Sequence, residues 1–251
     1  MISRSASTLP FNFSRMDALS EPINLKKCPK KHDFSITQCT LGDLHGNALK
    51  LLYALIRNGV CELKGRNTYE KLVYIYTSFS SKSALCKDSI DTFNALIDNQ
   101  LVISNSTILV RLIGDLLADR GNCDWFTLKI ISKLVKSGVP LRILMSNHDN
   151  FFFILRGLHG EEEKKALLSF CRRNKILSQI SSYQSFPEMM RQGYINTHSF
   201  NALFYEHYLP SLCLFDYSLN ASGTLTIFTH APCDLELIKD IAEQMGVTYT
   251  G

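Results

Sequence analysis

Three times along this chain an apolar, strand-like run stops at a small residue and hands over to carboxylates, amides and imidazoles. The stretches are "ITQCTLGDLHGNALKLL" at 36–52, "VRLIGDLLADRGN" at 110–122 and "LRILMSNHDN" at 141–150. Strand ends beside glycine turns are poor ground for structural ion pairs. They are good ground for a metal, because ligands project from a rigid edge and small residues let an ion approach. Between the runs, the spacing of Leu49, Leu52 and Ile56 is helical, and so is "CDWFTLKIISKLVKS" at 123–137, with Asp124 in its first turn. Gly138 and Pro140 then end that helix. Strand, helix, strand, helix, strand in this order predicts an α/β fold with parallel pairing, in which ligands gather at the carboxyl ends of the strands. All three polar clusters fall there.

The rest of the chain is read around that frame. Residues 1–33, punctuated by Pro10, Pro22 and Pro29, read as an irregular leader, and 34–251 as one domain. A long insert at 60–105 interrupts it. Within the insert, "YEKLVYIYTSF" leaves helix and strand both open, while "KDSIDTFNALIDNQLV" places Ile90, Phe93, Leu96 and Ile97 on one helical side. Residues 150–209 read as mostly helical, with "SFPE" at 185–188 as a capping box. "SLCLFDYSLNASGTLTIFTH" (211–230) reads as one hairpin that turns at Asn220 and Gly223 and ends at His230.

Composition narrows the function classes. A hydrophobic content of 45% with 20% charged residues is that of an ordinary globular domain. A net charge of +4 is too mild for a nucleic-acid binder, and the one dense basic cluster, "KKCPKKH" at 26–32, reads as a solvated arm. Eight cysteines without a CxxC pair argue against a zinc ribbon or disulfide framework and for a reducing compartment. Neither a Sec signal peptide nor a run approaching the ~20 apolar residues of a membrane span is visible.

The polar clusters supply Asp43, His45, Asp115, Asp119, Arg120, Asn147 and His148, and the hairpin end adds His230. Oxygen donors from Asp43, Asp115 and Asn147, joined by imidazoles, suit Mn, Fe or Zn better than calcium. Two such ions, about 3.5–4 Å apart and sharing a carboxylate, can clamp a phosphate. Arg120 offers a planar fork that matches phosphate oxygens.

Taken in order, "GDLHG", "GDLLADRG", "SNHD" and "THA" resemble the GDxHG, GDxxDRG, GNHE and HGG signatures of the calcineurin-like metallophosphoesterases. The phosphoprotein phosphatase (serine/threonine phosphatase) branch is the nearest, since "FYEHYLP" is similar to its F-x-x-LP segment. The resemblance spans about Ile36 to Asp234. It implies a β-sandwich flanked by helices, with extra helices at 60–105 and 150–209. It also implies two divalent transition-metal ions, Mn first, with Fe or Zn as alternatives. One would be held by Asp43, His45 and Asp115, and the other by a bridging Asp115, Asn147 and His230. His148 would protonate the leaving oxygen, oriented by Asp119, and Arg120 would grip the phosphate. The implied reaction is in-line attack by an activated hydroxide on a phosphomonoester of a phosphoprotein or phosphopeptide, without a phosphoenzyme.

The departures from the pattern carry expectations of their own. "GDLLADRG" has one residue more between its aspartates than the branch, which shifts the angle between Asp119 and His148. Ser146 and Asp149 replace a glycine and a glutamate, and "THAPC" lacks both glycines of HGG. The insert lengthens the path from Asp43 to Asp115, and it is expected near the site entrance, where it would help choose substrate. The branch's last metal-binding histidine and second phosphate-binding arginine lie beyond HGG, whereas no His or Arg follows His230 here. The domain is therefore expected to be C-terminally incomplete or to have an incomplete second metal site, with His198 and His207 as candidate stand-ins. This divergence points to an atypical bacterial member, either cytoplasmic or an effector delivered into a host cell. Two other functions stay open: a nucleotide phosphoesterase of the diadenosine tetraphosphatase kind, and a phosphatase-like binding module without catalysis. An HD-type phosphohydrolase, suggested by "NHD", leaves the other signatures unused.

Overall fold

The computed structural model describes residues 23–33, 35–79, 86–221, 223–232 and 234–244. Most of the expected leader lies outside the described residues; its part from 23 to 33 runs as turns and coil. The first strand, β1 (Gln38–Gly42), leads into α1 (Ala48–Arg57), which buries Leu51, Leu52, Leu55 and Ile56 at helical spacing. Asn47 caps α1 by accepting the Lys50 N–H at 3.0 Å. The insert then forms β2 (Cys61–Leu63), α2 (Thr68–Ser78), α3 (Lys87–Gln100) and β3 (Leu101–Ile103). The ambiguous stretch is thus a helix, with Tyr69, Leu72, Ile75 and Tyr76 on its buried side. The insert is not wholly helical, because β2 and β3 pair antiparallel at its base. Three-residue strands are too short for an alternation pattern to register.

From there the chain runs through β4 (Leu109–Ile113), α4 (Asp124–Lys136), β5 (Leu141–Leu144) and α5 (Asn147–Leu155). The helices α6 (Glu161–Arg173), α7 (Ser181–Arg191) and α8 (Thr197–Leu203) follow. A π-helical turn at Phe204–Tyr208 leads to β6 (Leu212–Cys213), β7 (Asp216–Leu219), β8 (Leu225–Phe228) and α9 (Leu235–Gln244). Four strands form one sheet in the order β1-β4-β5-β6, and every pair in it is parallel. This is the α/β architecture expected from the βαβαβ pattern.

Two readings need correction. The apolar run from Ser211 does not form one continuous hairpin arm. Leu212 and Cys213 join β5 in the parallel sheet, and only Asp216–Leu219 pairs with β8. Nor does "SFPE" cap a helix: Ser185 and Pro187 lie inside α7, which starts four residues earlier. That start is set by tertiary contact, since the Ser182 N–H donates to the Asp119 carbonyl at 2.8 Å. The core on this side is aromatic, with Phe152, Phe186, Phe200 and Phe204 all buried and Phe152 and Phe200 each in ring contact with the other three. The seven described cysteines are all free.

Candidate metal centre

The carboxyl ends of β1 and β4 place two loops side by side. In them Asp43, His45, Asp115 and Ala118 hold φ values of 49°, 53°, 55° and 49°. Left-handed backbone is uncommon for residues with a Cβ, and several such residues in one site mark a conformation imposed from outside. The surroundings impose it. The Gly46 N–H donates to the Asp115 carbonyl at 3.0 Å, and the Asp119 N–H to Ser182 Oγ at 2.9 Å. The buried Tyr76 hydroxyl spans both loops, donating to the Gly46 carbonyl at 3.3 Å and accepting the Asn122 N–H at 3.1 Å. The loops approach so closely that a Cβ on Gly121 would stand 1.8 Å from the Gly46 carbonyl oxygen.

These constraints converge His45, Asp115 and Asp119, whose donor atoms lie within 4.8 Å of one another. One His45 nitrogen, Nδ1, is 2.8 Å from Asp119 Oδ2 and 3.6 Å from Asp115 Oδ2. The other Asp115 oxygen, Oδ1, is buried without a hydrogen-bond partner among the described residues, and it faces His230 Nε2 at 3.4 Å. A buried, unpartnered carboxylate oxygen is costly unless a cation or donor completes it. Oxygen and imidazole donors around it are the set a divalent transition metal takes, so the residues present fit such an ion. Asp43 is exposed and stands outside the cluster of three.

The other edge of the site comes from β5, α5 and β8. Ser146 caps α5 in a reciprocal capping box with Asp149, and its Oγ also accepts the Asp115 N–H at 2.9 Å. Asp149 is further tied to the Tyr208 hydroxyl at 2.5 Å. Burial pushes its carboxyl above the usual range, and donors from Tyr208 and Ser146 pull it back. The two replacements in "SNHD" therefore form a working cap. Asn147, exposed in the first turn, has Oδ1 3.3 Å from His230 Nε2. His230 is seated against Gly114, where an added Cβ would stand 2.4 Å from its Nδ1.

His148 Nδ1 donates to the Ala118 carbonyl at 2.7 Å, while its Nε2 lies 3.9 Å from Asp119 Oδ1. The extra residue in "GDLLADRG" thus brings a backbone carbonyl to the position from which the resemblance has Asp119 orient His148. Asp119 instead lies against His45. Arg120 is half exposed, with Nη2 2.8 and 3.0 Å from the His45 ring nitrogens. His207 is buried beside Lys136 at the C-terminal end of α4, the end remote from these loops. Sequence reasoning overlooked Tyr76, Ser182, Tyr208 and the Ser146–Asp149 pair; only the last has a local signature, Ser followed three residues later by Asp before an apolar run.

An α/β sheet with carboxylates, imidazoles and a guanidinium gathered at its carboxyl edge is the framework of an enzyme that handles an anionic group. Residues 109–251 match the family described as "WipA-like, phosphatase domain"; the chain belongs to that family, and it is a phosphatase. It is also similar to the solved structure of the phosphatase domain from the Legionella effector WipB. The two share 28% sequence identity and a TM-score of 0.72, over 86% of this chain and 74% of that one. No curated protein matches the chain. Among the described residues no helix is long and apolar enough to cross a membrane.

Proposed function

We propose that the protein is a metal-dependent phosphomonoesterase of the calcineurin-like type acting on phosphoproteins. The observation that carries this reading is Asp115: one carboxylate oxygen faces His45 at 3.6 Å, and the other, without a hydrogen-bond partner among the described residues, faces His230 at 3.4 Å. A carboxylate so placed suits the bridging position between two ions. Asp43 and His45 would complete one site, with Asp119 adjacent to it, and Asn147 and His230 the other. The parallel sheet with the β7–β8 hairpin agrees with the start of a two-layer β-sandwich.

Divalent ions there would offset phosphate charge and make water a better nucleophile near neutral pH. Arg120, half exposed at the rim and held by Asp119 through Nε at 3.2 Å, would offer its fork to the phosphate oxygens on leaving the His45 ring. His148 holds Nδ1–H on the Ala118 carbonyl, which leaves Nε2 as the atom that carries a proton to the leaving oxygen. The effector relative supports the view that this chain too is delivered into a host cell and works on a host phosphoprotein.

Metal analysis paired with hydrolysis of an aryl phosphate and a phosphopeptide tests the proposal. Bound transition metal, activity abolished by chelation and restored by Mn²⁺, and lower metal content in Asp115→Asn are expected. Full activity in chelated, metal-free protein would overturn it.

A further inference from the structure

Central strands of a covered parallel sheet are apolar. Val110 and Leu112 of β4 obey; Arg111, between them, does not, yet it is wholly buried. Its Nε donates to Asp216 Oδ2 of β7 at 2.6 Å, and its Nη1 to Thr40 Oγ1 of β1 at 3.1 Å. The guanidinium carbon lies 3.9 Å from the ring centroid of Phe228 on β8. One side chain therefore joins the main sheet to both strands of the hairpin.

Stability alone explains this arrangement poorly. A buried ion pair rarely stabilises more than apolar residues of the same volume would, because desolvation offsets the attraction. Here Nη2 also lacks a hydrogen-bond partner among the described residues. What a planar guanidinium supplies is geometry: a carboxylate, a hydroxyl and a ring face hold it in one orientation. The outer face of the hairpin offers no comparable hold, since Tyr217, Leu219, Leu225 and Ile227 are exposed. The clamp is close to the site on both strands. β4 reaches Asp115 four residues after Arg111, and β8 reaches His230 two residues after Phe228.

We propose that Arg111 is a positioning residue: through Asp216 and Phe228 it fixes where His230 stands relative to Asp115, and so sets the affinity of the second metal ion. The inference rests on the reading of His230 as a ligand of that ion. Arg111 itself touches neither metal nor substrate.

The test uses the full chain with Arg111→Met, Asp216→Ala and the double variant, and His230→Ala as the control. Mn²⁺ titration by calorimetry and hydrogen exchange of the β8 amides are the readouts. Each clamp variant should weaken the weaker metal site by roughly ten- to a hundredfold, the usual effect of losing support behind a ligand. The stronger site should stay within about twofold, β8 amides should exchange faster, and the double variant should be no worse than either single one. Should Arg111→Met fail to fold, Asp216→Ala, at the edge of the clamp, carries the same comparison. Unchanged second-site affinity in folded clamp variants, while His230→Ala weakens that site, would overturn the inference alone. Unchanged affinity in His230→Ala would overturn the ligand reading and the inference together.

Discussion

The two sides of the candidate metal centre reach the same few ångströms by different means. The loops after β1 and β4 touch backbone to backbone, with the Gly46 N–H on the Asp115 carbonyl and the Tyr76 hydroxyl spanning Gly46 and Asn122. Asp43, His45 and Asp115 in them sit in left-handed backbone. Asn147 and His230 come instead from a helix start and a hairpin end, and they meet each other at only 3.3 Å. Their spacing depends on how the hairpin docks. Donors held in advance lose less freedom on binding, so the first side should take its ion more tightly than the second.

The most severe way to break the comparison is Gly121→Ala. Its Cβ would fall 1.8 Å from a backbone oxygen that cannot rotate away. We expect roughly 3 kcal/mol or more of lost stability, together with loss of the tighter site, read by thermal melting and metal titration. His148→Ala belongs to neither side; kcat should drop by roughly 10²–10⁴ on poor leaving groups, with metal content unchanged. Loss of metal would make His148 a ligand instead. Gly114→Ala falls mainly on the second side, because the added Cβ meets His230 Nδ1 at 2.4 Å, although it also meets Ser146 Cβ at 2.7 Å. Calorimetry should show the weaker site losing more affinity than the tighter one; equal losses would contradict the division.

Tyr76→Phe is gentler. It leaves the Asn122 N–H and the Gly46 carbonyl without their shared partner, which costs about 1–3 kcal/mol, and it should lower affinity at the tighter site only. A separate effect is on pH dependence. Burial pushes the Asp124 carboxyl up to about 7, and its Oδ2 accepts the Ala118 N–H at 3.0 Å. The folded protein thus keeps a proton that the unfolded chain releases near pH ~4. Stability should therefore fall as pH rises from about 4 to about 7 and level off above. Asp124→Asn keeps an acceptor for Ala118 and should flatten that slope, as melting curves across this range would show.

Much of this was legible in the sequence because it is local. The runs that end at Gly42, Ile113 and Leu144 became parallel strands, and the polar residues after them converge where a parallel sheet collects ligands. The supports were hidden because they are tertiary. Nothing local singles out Tyr76 within the ambiguous segment, or Ser182 in the helical stretch. The insert is expected at the entrance as a chooser of substrate; what the structure shows of it is that Tyr76 braces the first loop pair. "SFPE" misled because a four-residue pattern carries less weight than the Asp119 carbonyl that starts α7 four residues earlier. Nothing local marks Arg111, because its partner Asp216 lies far along the chain.

Calorimetric titration of the metal-stripped protein with Mn²⁺ tests the central claim most directly. Two unequal sites are predicted, the tighter weakened by Tyr76→Phe and the weaker by Gly114→Ala. Two equally tight sites that respond alike to both substitutions would contradict it.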